Sequence, residues 1–475
     1  MIIIGNESSA NCIVRFYGEG TSLIEEDFPK VSAVFQGKYL QSRVLTDGDG
    51  KVWILTGMGK PEEVTILKLK ELLAKAAKEV KGCEITEAVI DISQLLKIFG
   101  IQCVDKCVES IRLGLAEGLT YKKDAKAGEY KIFLSGIPEN QLALAQELLR
   151  DGEDLGDAVI FTRKLVNMPG NKLRPMDLAK EIEEHVKDCE IEYVLYDYDK
   201  LREMGMGALN AVGGSSEFPP CMCVLRYKGD PGSSEITGLV GKGVTSDTGG
   251  YCLKSRDSLI GMHGDMAGGA VTASVIKALA KSNARVNVTC VIPICENRLT
   301  AGSLLPGDVI TSYSGQTIEI LNTDAEGRLI LADGVSYAVI EEKVTRVLDI
   351  ATLTGAMANA LGNHVTGVIS DSDRIWSELE AASAGTGEYF CRLPFYQENE
   401  KMLESEIADI KNMGESFCGA ITAGLFIRHF ANQVPWIHLD IAGTAHVGRP
   451  LYEFQAKGAT GATIDTIYRW LNMMI

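Results

Sequence analysis

The stretch TIEILNTDAEGRLILADGVSYAVIEEKVTRVLDIATLTGA, residues 317–356, decides the fold. TIEILNTD opens with alternating apolar residues and predicts a strand. GRLILADGVSYAVIEE carries apolar residues at helical spacing and predicts a helix. TRVLDIATLTGA is rich in β-branched residues and predicts a second strand. Reading outward, the alternation continues on both sides. EITGLVGKG (235–243) reads as a strand running into a glycine-rich loop, MAGGAVTASVIKALA (266–280) as a helix and RVNVTCVIPIC (285–295) as a strand. Later, PWIHLDIAGTA (435–445) reads as a strand and ATIDTIYRWLNMM (462–474) as a helix. Such alternation predicts an α/β sandwich around a mixed, largely parallel sheet.

The amino-terminal third reads as a smaller α/β domain. KVWILTGMG (51–59) is a strand behind the turn signal DGDG (47–50). That run lacks the third acidic position and the distal glutamate of a calcium loop, which favours a hairpin turn. PEEVTILKLKELLAKAAKEV (61–80) predicts a helix with proline at its start. ENQLALAQELLRDGEDLGDAVIFTRKLVNMPGN (139–171) predicts a long helix that ends at NMPGN. The domain boundary is placed near or within it, giving domains 1–160 and 161–475.

Composition narrows the function. The 475 residues are 46% hydrophobic and 23% charged, the balance of a globular chain with room for sizeable cores. A formal net charge of -17 repels phosphate backbones and argues against nucleic acid as a partner. Twelve scattered cysteines without paired CxxC spacing read as reduced thiols and not as a zinc or disulfide framework. The amino-terminal MIIIGNESSANC lacks the basic and apolar regions of a signal peptide, and no apolar run is long enough to span a bilayer. The expected location is the cytoplasm, with no membrane partner.

Two polar stretches follow strand candidates, where α/β folds collect ligands. GKGVTSDTGGYCLKS (241–255) carries Lys242, Asp247 and Lys254, and HGDMAGGA (263–270) adds Asp265. NTDAEGRL (322–329) carries Asp324, Glu326 and Arg328 at alternate positions, which face one way if the chain is extended there. Four carboxylates converging on one crevice demand cations. Two divalent ions sharing bridging carboxylates meet that demand better than lysine and arginine alone. Taken singly, Asp265 reads equally well as a helix N-cap, and Glu326 and Arg328 as helix-start charges. GKG is not a phosphate loop, because neither GxxxxGK[ST] nor GxGxxG is satisfied.

These stretches resemble the M17 family of leucyl aminopeptidases, also called cytosol aminopeptidases. NTDAEGRL matches the family signature letter for letter, and VGKGVTSDTGG matches its metal-binding loop. NMPGN, MGMGALNAVGGSSEFPP, ATLTGA and HLDIAGTA extend the resemblance over roughly residues 160–475. The amino-terminal part matches in size and α/β character only, as the family's variable domain does, with a role in oligomerisation or access. The resemblance implies two divalent metal ions per subunit: manganese or zinc, with magnesium or cobalt also compatible with an oxygen-rich site. Lys242, Asp247, Asp265, Asp324 and Glu326 would be the ligands. Asp247 and Glu326 would bridge, Lys242 and Asp265 would complete the tighter site, and Asp324 the looser one. Lys254 and Arg328 fall at the catalytic pair, with Arg328 holding a bicarbonate ion as general base. Met262 and the Thr352–Gly355 stretch fall at the pocket for the first side chain, and the methionine suits leucine-like residues.

The implied reaction is release of amino-terminal residues from short peptides by attack of a metal-activated water, in a homo-hexamer. Ser246 in place of the usual phenylalanine, HGD before the metal-binding aspartate and TGAT (460–463) in place of TGRP depart from the family pattern. They bear on substrate preference, since the functional positions themselves are intact. His263 is expected to be a non-ligand and His438 a structural histidine. Two other readings stand beside this one: a two-metal phosphoesterase, which needs further cationic phosphate clamps, and a DNA-binding regulator, against which the net charge weighs.

Overall fold

The computed structural model describes residues 1–5, 10–124 and 128–472. Residues 6–9 of the amino-terminal MIIIGNESSANC stretch, and Met473 and Met474 at the end of the last expected helix, lie outside that set. The chain forms two compact units. One comprises Met1–Ile160 with Arg449–Ala456, the other Phe161–Gly448 with Lys457–Ile475.

The smaller unit is built on a six-stranded sheet. Its order is Ile2–Ile4, Lys131–Ser135, Glu87–Asp91, Cys12–Gly18, Val52–Gly59 and Ser42–Thr46. All neighbours run parallel except the final hairpin. The DGDG run makes that hairpin's turn. Asp47 accepts hydrogen bonds from the backbone N–H of Asp49 (3.0 Å) and Lys51 (2.9 Å), a side-chain substitute for turn hydrogen bonds. The helix expected to begin at Pro61 begins at Ile66 instead. Pro61–Glu63 forms a separate 3₁₀ turn, and extended Thr65 caps the helix by accepting from Lys68 N.

In the larger unit a nine-stranded sheet runs in the order Tyr389–Arg392, Val365–Ser370, Trp436–Asp440, Arg346–Ala351, Thr237–Gly241, Asn287–Asn297, Cys221–Lys228 and Glu192–Tyr196. The ninth strand, Gly243–Asp247, continues beside Asn287–Asn297. The centre is parallel, and antiparallel pairing enters toward both edges. Helices Ala267–Lys281 and Glu326–Ile340 cover opposite faces. A Cβ on Gly241 would meet Gly268 and Thr272 of the first helix, whereas neighbouring Val240 touches the Gly334 position of the second. Gly268 lets its helix come this close: a Cβ there would sit 2.0 Å from the Ile350 carbonyl. Val240, Val291, Leu329, Leu331, Val347 and Trp436 belong to the resulting core.

The strand expected over TIEILNTD is short and lies elsewhere. Only Thr317–Glu319 is extended, and it pairs with Val309–Thr311 and Ile410–Lys411 in a separate three-stranded sheet. Asn412 stops it. Its side-chain carbonyl takes Leu321 N (2.8 Å) and its amide donates to Asn322 O (2.7 Å), replacing the next ladder bonds. The chain then turns, and Glu326 opens the helix.

Candidate metal centre and active site

The main-sheet strands deliver the first half of the site. Lys242 sits in the break between Thr237–Gly241 and Gly243–Asp247, its backbone tied to Ile350 O (3.0 Å) and Gly269 N (2.8 Å). Its side chain is buried, and Nζ lies 2.7 Å from Asp265 Oδ2 and 2.9 Å from Glu326 Oε1 while donating to Thr352 O at 3.0 Å. Asp247 ends the next strand. Its Oδ1 accepts from Gly249 N (2.9 Å) and Asn297 Nδ2 (2.8 Å), and its Oδ2 faces Lys254 Nζ at 2.7 Å. Lys254 also pairs with Asp324.

Asp265 is not a helix cap. Helix Ala267–Lys281 has Met266 at its N-cap without a side-chain bond, and the Asp265 carboxylate is committed to Lys242 and to the Thr352 hydroxyl (2.6 Å). Nor are Asp324, Glu326 and Arg328 aligned along an extended strand. Glu326 and Arg328 stand in the first helical turn, about 200° apart around the axis at 100° per residue. Glu326 meets Lys242, and Arg328 donates from Nη1 to Asn412 O at 2.8 Å.

Asp247, Asp265 and Glu326 are all buried, and they offer ligand atoms within 4.8 Å of one another. Burial, and then Asp247, push the Glu326 carboxyl above its ordinary range, and burial does the same to Asp265. Burial alone would lower the Lys242 ammonium, but Asp265, Glu326 and Asp247 outweigh it and hold the pKa above the ordinary lysine value. Protein groups alone thus balance the cluster by keeping the lysine charged. Asp265 Oδ2 and Asp324 Oδ1 are buried and receive no hydrogen bond among the described residues, although an ammonium group stands at ion-pair distance from each. Buried carboxylate oxygens gathered around one amine fit hard or borderline divalent ions such as manganese, magnesium or zinc.

Arg328 is different. It is buried and has no carboxylate partner among the described residues, and its Nε makes no hydrogen bond. Burial lowers its pKa to about 10 against the opposing pull of Glu326 and Asp440. A buried guanidinium with a free edge can accept an anion, and its planar fork suits a carboxylate-like ion.

Lys242, Asp247, Lys254, Asp265, Asp324, Glu326 and Arg328 all line one cavity of about 650 Å³, as do Met262, Thr352 and Gly355. His263 does not line it. It is half-buried, and burial and then nearby His446 lower its pKa. His438 is buried and bonded to Asp349 at 2.5 Å, with its ring stacked on Trp436. Sequence reasoning passed over Asn297 and Asn412, which orient Asp247 and Arg328. No spacing rule marks a lone asparagine at a strand end.

Fold and site together define a class: a two-domain α/β protein with a buried carboxylate cluster at its strand ends that could hold a divalent cation. Comparison with known proteins then gives the family. Residues 160–468 match the catalytic domain of the cytosol aminopeptidase family, and residues 31–125 match that family's N-terminal domain. The chain belongs to the cytosol aminopeptidase family, which makes it a metal-dependent peptidase acting at peptide amino termini. The amino-terminal part therefore shares more with the family than the size and α/β character read from the sequence.

The chain is 36% identical over 473 residues to a probable cytosol aminopeptidase of Clostridium perfringens, covering 97% of this chain and 96% of the relative. It is 37% identical over 445 residues to one of Alkaliphilus metalliredigens, covering 92% and 88%. Among solved structures, the bottromycin maturation enzyme BotP in complex with Mn superposes with a TM-score of 0.88 at 29% identity, covering 98% of this chain and all of that one. The cytosol aminopeptidase of Coxiella burnetii shares the fold, with a TM-score of 0.85 at 24% identity, covering 100% and 99%. No described helix is long and apolar enough to cross a membrane.

Proposed function

We propose that this chain is a dinuclear metalloaminopeptidase that releases leucine-like amino-terminal residues from short peptides. The observation that carries the proposal is the convergence of buried Asp247, Asp265 and Glu326 within 4.8 Å, with the Lys242 amine among them. Lys242, Asp247, Asp265, Asp324 and Glu326 would hold two divalent ions, manganese or zinc in the first instance, with Asp247 and Glu326 shared. Such ions supply Lewis acidity and a nucleophile at neutral pH.

The chain's own groups do the rest. Lys254, on the cavity wall and paired with Asp247 and Asp324, would supply a cation where a scissile carbonyl gains negative charge. Arg328 would hold bicarbonate on its unpaired edge, which would supply the general base. Met262, Thr352 and Gly355 would receive the first side chain. An added Cβ on Gly355 meets nothing within 4 Å, so that wall leaves room for a branched aliphatic group. A free α-amine would complete the electrostatics of the carboxylate centre, which limits cleavage to the first residue.

The family resemblance supports a cytoplasmic homo-hexamer whose smaller unit takes part in assembly or access. Light scattering tests the assembly. The activity is tested by dialysis against chelator and metal add-back, with leucine, alanine and lysine anilides as substrates. Hydrolysis is expected to vanish and return, fastest with leucine. Activity that survives metal removal, or survives Glu326→Ala, rules the proposal out.

A further inference from the structure

We infer that Asn297 is a positioning residue for the metal centre, holding the two ligand-bearing loops in register through one side-chain amide. The inference rests on the metal reading above. Asn297 ends strand Asn287–Asn297 and is buried directly beside Asp247 in the parallel pair. Its Nδ2 donates to Asp247 Oδ1 (2.8 Å) and to Thr323 O (3.0 Å). Both partners are acceptors, so only the amine end of the amide can face them, and the orientation of the side chain is set by chemistry.

The two acceptors belong to different loops. Asp247 opens the 247–254 loop, and Thr323 immediately precedes Asp324. Asn297 also holds the first loop through its backbone carbonyl, which accepts from Thr248 N and Thr248 Oγ1, each at 2.9 Å. Thr323 closes the clamp from the other side. Its hydroxyl donates to Gly249 O at 2.7 Å and accepts from Cys252 N at 2.8 Å.

The clamp needs a fixed base, and the preceding residue provides one. The fully buried Glu296 is gripped by Arg174 (2.8 Å), Arg298 (2.7 Å) and the Ser216 hydroxyl (2.8 Å). A carboxylate held by two guanidinium groups pins the strand end against sliding. The Asn297 amide thereby helps to hold Asp247 Oδ1 and leaves Oδ2 facing Lys254. It also fixes how far Asp324 stands from Asp247. Groups that orient metal ligands in this way are worth about 10–100-fold in metal affinity.

Asn297→Asp tests this, because it keeps the shape and replaces the donor with a carboxylate. Wild type and variant are titrated with Mn²⁺ followed by electron paramagnetic resonance, and peptide kinetics are run at saturating Mn²⁺. The expected result is a folded variant with Mn²⁺ affinity about 10–100-fold weaker. Raising Mn²⁺ should recover much of kcat, with KM for the peptide unchanged. A folded variant with wild-type affinity overturns the inference. Should Asn297→Asp fail to fold, Asn297→Ser decides by the same titration, and failure of both to fold assigns Asn297 a purely structural role. A wild-type protein that binds no Mn²⁺ refutes the metal reading itself, a result distinct from unchanged affinity in the variant.

Discussion

Replacing Arg328 by methionine should leave stability nearly unchanged while removing most activity. Methionine approximates the length of the arginine stem and keeps its apolar packing. The guanidinium is buried without a carboxylate partner among the described residues, and burial lowers its pKa from the ordinary arginine value to about 10. At about 1.4 kcal/mol per pH unit, that depression corresponds to about 3 kcal/mol of cost to the folded state. The cost is fully present at pH 7, where the group is protonated in both folded and unfolded chains. Against it stands the loss of one charged hydrogen bond, Nη1 to Asn412 O at 2.8 Å, worth about 1.5–3 kcal/mol. The two nearly cancel, so the midpoint of thermal unfolding should move by no more than a few degrees.

Catalysis should not be spared. If Arg328 holds the anion that serves as general base, kcat should fall by about 10²–10⁴-fold. Wild-type turnover should respond to added bicarbonate, and that of the variant should not. The assay is leucine anilide hydrolysis in bicarbonate-depleted and bicarbonate-supplemented buffer, beside a thermal melt. A variant that melts far below wild type shows that the guanidinium is a structural keystone. A variant that keeps kcat within a few-fold, or still responds to bicarbonate, refutes the anion-site reasoning.

The chelator-stripped protein should lose stability as pH rises from about 5 to about 8. The folded Glu326 carboxyl is raised from 4.5 to about 8 by burial and then Asp247, so the folded state binds more protons than the unfolded one across that window. Manganese at a hundredfold excess over its dissociation constant should add about 2.7 kcal/mol per site, read as a rise in the melting midpoint, and melts unchanged by metal at pH 8 would refute this. Lys254→Met should lower kcat by about 10²–10³-fold while metal content, read by elemental analysis, stays at the wild-type level; loss of metal would instead make the lysine a structural counter-charge. Gly355→Val should fold normally, since the added Cβ meets nothing within 4 Å, yet lower kcat/KM for leucine relative to alanine anilides by about tenfold or more; an unchanged ratio places the first side chain elsewhere.

The legible part of this protein was its local periodicity and its charged residues in short, fixed-spacing motifs. Helices Ala267–Lys281 and Glu326–Ile340 and the central strands announce themselves through apolar spacing. Asp247, Asp265, Asp324 and Glu326 stand out because carboxylates gathered beside glycine loops demand cations. What stayed hidden is whatever depends on distant chain segments. The strand before NTDAEGRL ends early because Asn412, some ninety residues on, takes over its hydrogen bonds. The role read for Asp265 as a cap was displaced by Lys242 and Thr352, which no local window contains.

The glycines of the two ligand motifs carry the same lesson further, because each makes room for a charged residue of the other. A Cβ on Gly327, between Glu326 and Arg328, would lie 2.7 Å from both Cε and Nζ of Lys242. A Cβ on Gly249, in the Asp247 loop, would lie 2.6 Å from the Cys252 carbonyl oxygen of its own loop and 2.8 Å from Asp324 Oδ1, at a backbone φ of +84° that already favours glycine. A lone lysine tip can usually swing away from a methyl group. Lys242 has little such freedom, because Asp265, Glu326 and the Thr352 carbonyl hold its amine. The glycine in NTDAEGRL therefore reads as vacated space for Lys242, and Gly249 as space that both the Cys252 carbonyl of its own loop and Asp324 press upon. The motifs are separated by more than seventy residues but interlock as one object, so a side chain at either glycine perturbs the centre through the opposite loop.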